Sequence, residues 1–191
     1  MEQTRAALFQ LSGKPQIKAE AKVGSTELRA DPDRFWELAG PQRQKLYNFI
    51  HKSLSFSVEA DDVYQETLLR SLKYIRSYDE KKNFGSWLFA IAHNEVKKYL
   101  KHSRSGAFRP LAESLPDQDG SPRAALVREV YLFAEGLKPR HKEIFFLFYD
   151  SGFSIAEISH ITGMRGGNVK FILNRARKVL RERFGEYHGK P

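Results

Sequence analysis

The chain has 191 residues, of which 41% are hydrophobic, enough to bury the core of one ordinary domain or of two small ones. Lysine and arginine total 32 against 23 aspartates and glutamates, and the net charge of +9 favours a polyanionic partner such as nucleic acid or an acidic membrane surface. The lack of cysteine excludes disulfides, thiolate metal sites and cysteine nucleophiles. No stretch approaches the ~20 apolar residues of a membrane span, so we expect a cytoplasmic protein without membrane insertion.

The first half of the chain predicts a helical domain behind a tail. Residues 1–30 show weak periodicity and are expected to form a mobile tail. Helical spacing of apolar residues follows at 33–55, where Gly40 and Pro41 interrupt it, and again at 58–74. A charged loop at 77–83 then leads into a further helix. We expect residues 31–102 to form one domain.

That further helix, FGSWLFAIAHNEVKKYLKHSR at 84–104, has two distinct faces. At about 100° per residue, one face gathers apolar residues suited to a core: Leu88, Phe89, Ala92, Val96, Tyr99 and Leu100. The opposite face gathers an aromatic ring, an amide and three cations, namely Trp87, Asn94, Lys97, Lys98 and Lys101. A tryptophan among such neighbours indicates a binding surface, although packing of Trp87 on a neighbouring helix is an equally good interpretation.

The second half of the chain begins with a predicted linker. Residues 103–122, SRSGAFRPLAESLPDQDGSP, carry three prolines and two glycines without a usable period. Helical patterns follow at 123–135, 139–149, 154–161 and 168–184, and no β-alternation is convincing. We therefore predict an all-α fold of two small helical domains joined by a flexible linker. The second domain spans 123–185, and residues 186–191 form a short tail.

Residues 154–175 have the pattern of a helix-turn-helix, whose second helix enters the DNA major groove. Ser154 and Glu157 form an S-x-x-E capping box, and Gly163 can adopt the positive φ of the turn. Apolar residues at the positions that join the two helices are Ile158, Met164, Val169 and Ile172. Seven basic residues and one acidic residue lie between 165 and 183, which favours DNA binding over a merely solvated charged face.

Three segments together resemble the extracytoplasmic-function sigma factors of bacterial RNA polymerase. They are SVEADDVYQETLLRSL at 57–72, YDEKKNFGSWLFAIAHNEVKKYL at 78–100 and SIAEISHITGMRGGNVKFILNRARKVL at 154–180. The resemblance runs from about residue 35 to residue 184 and includes the order of the segments and the linker. It implies two helical domains that dock on core RNA polymerase and read two promoter elements.

The resemblance matches the family's polymerase-binding helix to residues 61–70. The candidate contacts to core RNA polymerase are Asp61, Asp62, Gln65, Glu66, Leu69 and Arg70. An acidic, amide-bearing helix in a basic protein suits a protein surface better than phosphate, and this agrees with the assignment. The alternative is a solvated face on which Arg70 pairs with Glu66, a contact worth only ~0.3–0.5 kcal/mol.

The resemblance also implies that the loop at 77–86 and the helix after it bind the melted minus-ten element, with one base flipped into the loop. Single-stranded DNA is held by stacking of bases, at ~1–3 kcal/mol per base, and by cations near its phosphates. The candidate contacts are Tyr78, Asn83, Phe84, Trp87, Asn94, Lys97, Lys98 and Lys101.

The recognition helix of the family reads the minus-thirty-five element as a duplex. The candidate contacts are Arg165, Asn168, Lys170, Phe171, Asn174, Arg175, Arg177 and Lys178. Phe171 points to the polar side, where it can touch a thymine methyl or a sugar, or pack on a neighbouring helix. Because the family more often has Ser and Arg where Phe171 and Ile172 stand, its promoter sequence cannot be carried over.

We therefore expect a sigma factor that directs core RNA polymerase to specific promoters and assists promoter melting, with an anti-sigma factor as a further partner. A one-component helix-turn-helix regulator is the alternative, but it does not explain DDVYQET or the lysine face. An enzyme is not expected, because the H-x-E of His93 and Glu95 lacks the cysteine partner motif of a zinc deaminase. The histidines are scattered, so no metal and no cofactor are expected.

Overall fold

The computed structural model describes residues 32–102 and 122–184, and these ranges contain helices and turns but no strand. The helices are α1 (Pro32–Ala39), α2 (Arg43–Ser53), α3 (Ala60–Tyr74), α4 (Phe84–His102), α5 (Pro122–Glu135), α6 (Pro139–Tyr149), α7 (Ile155–Thr162) and α8 (Gly166–Phe184). The all-α prediction is confirmed. The predicted tails, and the predicted linker apart from Pro122, lie outside the described residues.

Local sequence explains where several helices begin and end. Gly40 and Pro41 lie in a 3-10 turn (Gly40–Gln42) that separates α1 from α2, at the interruption that the sequence predicts. The Ser154 hydroxyl accepts a hydrogen bond from the Glu157 backbone N–H and the Glu157 carboxylate accepts from Ser154 N, which confirms the capping box that starts α7. Helix α8 begins at Gly166 rather than at the predicted residue 168.

The N-terminal domain (α1–α4) packs around α4. Leu88, Phe89, Ala92 and Val96 of α4 are completely or almost completely buried, as the apolar stripe predicts, while Tyr99 is half-buried. Helices α2 and α3 cover this stripe, and α1 adds Phe35, whose ring centroid lies 6.5 Å from that of Phe84. Burial of such side chains contributes ~1.5–3 kcal/mol each.

The C-terminal domain (α5–α8) contains the helix-turn-helix formed by α7 and α8. Its turn is made by Gly163, which has the left-handed φ of 68° that the sequence predicts. Ile158 and Val169 are fully buried where the two helices meet. A Cβ atom added at Gly166 would lie 3.4 Å from the Ser159 hydroxyl oxygen, so small residues permit the close approach of α7 to α8.

The two domains also pack against each other, α7 on α4 and α6 on α2. The rings of Phe89 and Phe153 meet edge-to-face across this contact, with centroids 4.7 Å apart. The periodicity of α4 predicted a single buried face, but His93 and Glu95 are buried as well, because each has a charged partner on another helix. In the described ranges, no helix combines the length and hydropathy that crossing a bilayer requires.

Candidate polymerase and nucleic-acid interfaces

The outer face of α4 is an open, positively charged surface. Four predicted side chains lie exposed along it, and they form what we call the α4 stripe: Asn94, Lys97, Lys98 and Lys101. Positions 94 and 101 are about 10 Å apart along the helix axis at 1.5 Å per residue. Lys98 Nζ lies 3.7 Å from a Glu95 carboxylate oxygen, so one cation of the stripe is positioned by its own helix. The stripe can hold an extended polyanion along the helix.

Trp87 lies beyond the N-terminal end of the α4 stripe and is half-buried. Its ring centroid is 5.5 Å from that of Tyr78 and 5.4 Å from that of Phe84. Trp87 therefore combines the two predicted roles, packing and binding. One side of the ring packs on aromatic neighbours, and part of the side chain stays accessible. Trp87 and the half-buried Tyr78 form an aromatic wall beside the cations.

The loop before α4 is held by its own side chains. The Tyr78 hydroxyl donates a hydrogen bond to the Lys82 carbonyl at 2.5 Å. Asn83 Oδ1 accepts from the Ser86 backbone N–H at 2.9 Å, which caps the start of α4. Phe84 is only 8% exposed. Phe84, predicted as a DNA contact, therefore belongs to the core, whereas the half-buried Asn83 caps α4 through Oδ1 and stays partly accessible.

Burial is the main reason that the pKa of Tyr78 is raised above its usual value, with the carboxylates of Glu80 and Asp79 adding to the effect and Arg34 opposing it. The phenol consequently stays neutral and keeps its proton at any ordinary pH. A neutral phenol ring suits stacking against a base, since no negative charge repels the phosphates. The structure thus keeps the aromatic wall uncharged beside a positive stripe.

The outer face of α3 offers a second surface of different character. Asp61, Asp62 and Gln65 are exposed, and Leu69 is exposed to 63%. Asp61 is exposed but already has a partner within the domain, because its carboxylate lies 3.2 Å from His51 Nε2. Downstream, Leu69 lines a shallow depression whose other residues are Glu66, Arg70, Lys73 and Tyr74. An exposed leucine beside a depression is suited to contact with another protein.

Arg70 joins this surface to α4. Its Nε lies 2.7 Å from Glu66 Oε1 and 3.2 Å from Glu95 Oε1. The hydrogen bond to Glu66 is the largest cause of the raised pKa of Arg70, and the Glu95 charge also raises it. The predicted pairing of Arg70 with Glu66 is present, but no local pattern indicated the contact with Glu95, which lies on another helix. Arg70 is therefore engaged within the domain as well as partly exposed.

The outer face of α8 is a third surface, rich in cations. The predicted residues on it are all exposed: Arg165, Asn168, Lys170, Phe171, Asn174, Arg175, Arg177 and Lys178. Phe171 is 65% exposed, so the alternative of packing on a neighbouring helix does not hold, whereas Ile172 is buried at 8%. Asn174, Arg177 and Lys178 line a shallow groove together with two residues outside the predicted set, Arg181 and the acidic Glu182.

Comparison with known proteins places two family patterns on these surfaces. Sigma-70 region 2 matches residues 41–105, which include α3 and α4, and Sigma-70, region 4 matches residues 128–180, which include α7 and most of α8. The ECF RNA polymerase sigma factor EcfG of Rhodopseudomonas palustris (strain TIE-1) is 35% identical over 124 residues, covering 63% of this chain and 68% of EcfG.

A second relative and a solved structure agree with these matches. The ECF RNA polymerase sigma factor BldN of Streptomyces coelicolor is 27% identical over 158 residues, which is 78% of this chain and 60% of BldN. The sigma factor RpoE of Bartonella quintana, solved in complex with the anti-sigma factor NepR, superposes with a TM-score of 0.61. That alignment has 24% identity and covers 77% of this chain and 96% of RpoE, so it supports the fold.

Proposed function

The chain belongs to the extracytoplasmic-function sigma factors of RNA polymerase, and we propose that its three exposed surfaces carry the three contacts of such a subunit. It directs core RNA polymerase to specific promoters and assists promoter melting. The domains are proposed to be residues 31–102 and 123–185, with 103–122 as the tether between them. The tether makes the second DNA contact effectively intramolecular once the first has formed.

The outer face of α3 is proposed to bind core RNA polymerase. Leu69 would be the apolar anchor, with Asp62, Gln65 and Glu66 as polar neighbours and Arg70 at the edge. The exposed acidic groups favour this assignment, because carboxylates repel the phosphates of DNA but can pair with cations of a protein partner. Asp61 is the weakest contact of the set, since it already faces His51.

The α4 stripe and the aromatic wall are proposed to bind the melted minus-ten element. Bases stack on Trp87 and Tyr78, the Asn94 amide reads a base edge, and the three lysines neutralise phosphates. A duplex hides its base faces, so this surface binds the single strand better and shifts the equilibrium toward the open promoter. One base flipped into the loop would meet backbone groups and Tyr78, since Phe84 is buried.

The outer face of α8 is proposed to read the minus-thirty-five element as a duplex. Arg175, Arg177 and Lys178 supply positive charge for phosphates, and Lys170 and Asn174 can reach base edges in the major groove. Phe171 is the apolar reader of the set. Its exposed ring can contact a thymine methyl, which a serine at this position could not match in area.

The observation that carries the proposal is that the folded chain keeps the α4 stripe open within the Sigma-70 region 2 match. A one-component regulator would need only the α8 face. It would not account for the open α4 stripe or for the exposed Leu69. The proposal involves no covalent chemistry by this chain. It places the chain in the cytoplasm beside the polymerase, with an anti-sigma factor as a regulator by analogy with RpoE and NepR.

Transcription by purified core RNA polymerase on a randomised promoter library tests the proposed function. We expect the complete chain to produce defined transcripts whose templates share two short elements, whereas core enzyme alone gives only random initiation. A matched sample of the Leu69→Asp variant should behave as core enzyme alone. Absence of chain-dependent transcripts from every template would refute the proposal.

A further inference from the structure

A row of aromatic rings runs from the aromatic wall through the core to helix α1. Tyr78 and Trp87 both contact the buried ring of Phe84, with centroids 5.2 Å and 5.4 Å away. The Phe84 ring lies 6.5 Å from that of Phe35, and the Phe35 ring lies 4.9 Å from that of Trp36. Trp36 is 43% exposed. The row therefore has a solvent-accessible ring at each end, the aromatic wall at one and Trp36 at the other.

An ion-pair bridge holds α1 beside the loop that precedes α4. Arg34 Nη2 lies 2.8 Å from Glu80 Oε1 of that loop, and Arg34 Nη1 lies 3.9 Å from Glu37 of α1. An exposed pair of this kind adds little stability by itself. Together with the ring row, however, it fixes the position of α1 next to the loop that is proposed to receive the flipped base.

The exposed side of Trp36 faces a cation and open backbone. Arg43 Cζ lies over the indole, 5.7 Å from its centroid, which is close to the ~6 Å limit of a cation–π contact. Gly40 follows Trp36 by four residues, and a Cβ atom added at Gly40 would meet nothing within 4 Å. Arg43 is itself exposed, so its guanidinium can move outward and admit a flat group against the ring. We call Trp36, Gly40 and Arg43 the α1 platform.

A nucleotide of a single strand suits the α1 platform. A base can stack on the indole while the guanidinium holds its phosphate or stacks on the other face of the base. Stacking of a base is worth more than an exposed cation–π contact, so a base can displace Arg43 from the ring. Asp33, one turn before Trp36, repels a phosphate on its own side and so favours the phosphate on the side of Arg43. A duplex could not use the platform, because its base faces are hidden.

We propose that the α1 platform is a second nucleotide site, which stacks one unpaired promoter base beyond the flipped base. The single strand runs along the α4 stripe and the aromatic wall, passes the loop and continues to Trp36. This inference rests on the proposed function, because it extends the path of the same strand. The platform tolerates any sequence, since every base has a π face. It lengthens the melted segment that the chain holds.

Fork templates of two lengths test the α1 platform in the complex of the complete chain with core RNA polymerase. The single strand of the short template ends at the flipped base, and that of the long template continues for several nucleotides. We expect Trp36→Ala to bind the long template about tenfold more weakly and the short template normally, which also shows that the variant is folded. Tyr149→Ala is the matched control, since Tyr149 is also 43% exposed but lies on α6. Equal affinities of Trp36→Ala and the unaltered chain for the long template would overturn the proposal.

Two further variants separate stacking from charge. Trp36→Phe keeps a flat ring and should recover part of the affinity for the long template. Arg43→Gln should reduce the slope of log K against log salt by about 0.7 on the long template, as expected for one phosphate of a single strand. The slope on the short template should not change. A loss of the same size on both templates for either residue would show that the platform contacts no nucleotide beyond the flipped base.

2-Aminopurine, placed in turn at each position of the single strand, locates the stacked base by the loss of its fluorescence. One position beyond the flipped base should be quenched in the unaltered complex and bright with Trp36→Ala. If Trp36→Ala weakens binding to core polymerase instead, α1 contacts protein and the proposal is wrong. If the unaltered complex does not prefer fork over duplex, the proposed function fails and the platform fails with it. A normal fork preference with no quenched position beyond the flipped base refutes the platform alone.

Discussion

The guanidinium of Arg70 and the carboxylate of Glu95 tie helix α3 to helix α4, with Nε 3.2 Å from Oε1. Glu95 is only 8% exposed at its side chain, and it also lies 3.7 Å from Lys98 of the α4 stripe. A carboxylate in this position needs its partner, because a nearly buried charge without one is strongly destabilising. One buried group thus supports both proposed surfaces of the N-terminal domain.

Neutralising either carboxylate that contacts Arg70 should have very different effects on stability. Glu95→Gln removes the nearly buried charge from Arg70 and Lys98, and should lower the free energy of unfolding by about 1–3 kcal/mol. Glu66→Gln removes a more exposed pair within one helix and should cost only about 0.3–0.5 kcal/mol. Urea unfolding of the two variants compares them on the same arginine. Equal losses would mean that the α3–α4 link contributes nothing beyond a surface pair.

Shortening Leu69 should weaken binding to core polymerase without changing the fold. The side chain is 63% exposed, so Leu69→Ala should alter the free energy of unfolding by less than about 0.5 kcal/mol. If the leucine is buried at the polymerase interface, losing it should raise Kd about tenfold or more. Val58→Ala is the control, since Val58 is an exposed apolar residue of the same domain. Fluorescence titration that gives equal affinity for both variants would remove Leu69 from the interface.

Phe171 and Arg177 should affect duplex binding in different ways. Phe171→Ala should weaken binding only to sequences with a thymine at the contacted position, and the salt dependence should stay unchanged. Arg177→Ala should weaken binding to all sequences and reduce the slope of log K against log salt by about 1. Titrations of both variants against matched duplexes at several salt concentrations separate the two effects. A uniform loss for Phe171→Ala would exclude base reading by its ring.

The stability of the protein should fall in mild acid because of His141. Burial lowers the pKa of this histidine below its usual 6.5, and the charges of Lys138 and Arg175 lower it further. Between the usual and the lowered value the unfolded chain binds more protons than the folded one, so stability is complete above pH 6.5 and declines as pH falls through this window.

His141→Gln provides the comparison for this pH effect. The variant lacks the titrating ring, so the decline of its unfolding free energy over the same window should be shallower than that of the unaltered protein. The two proteins are otherwise identical, so the difference between their curves isolates the contribution of His141. Thermal unfolding measured at several pH values suffices. Parallel curves would show that His141 does not contribute.

Much of the fold follows from patterns within single helices. The two faces of α4 were predicted from a 3.6-residue period, and the capping box and Gly163 marked the ends of α7, because each signal depends only on neighbouring residues. The exposure of the candidate residues on α8 could likewise be predicted, because it depends only on the period of one helix. Asn83 and Phe84 were assigned to DNA by position in the family motif, and periodicity alone could not show that one caps α4 and the other fills the core.

The charged contacts between the two domains were missed because their partners are far apart in the chain. His93 and Glu143 are separated by 50 residues, and Lys52 and Asp150 by 98. The only local signal was a pair of charges, Lys142 and Glu143, directly before the apolar run IFFLFY on a helix that buries most of its faces. Adjacent charges more often mark a solvated face, so the pattern could not show that both residues are buried with partners on other helices.

The form of DNA that the α4 stripe prefers tests the central claim most directly. The complex of this chain with core polymerase should bind a fork template with a single-stranded minus-ten element at least tenfold more tightly than the same sequence as full duplex. Lys98→Ala with Lys101→Ala should abolish most of that preference, whereas Lys45→Ala with Lys138→Ala, which removes the same charge from exposed positions elsewhere, should leave it intact. Equal affinity of the unaltered complex for fork and duplex would contradict the account.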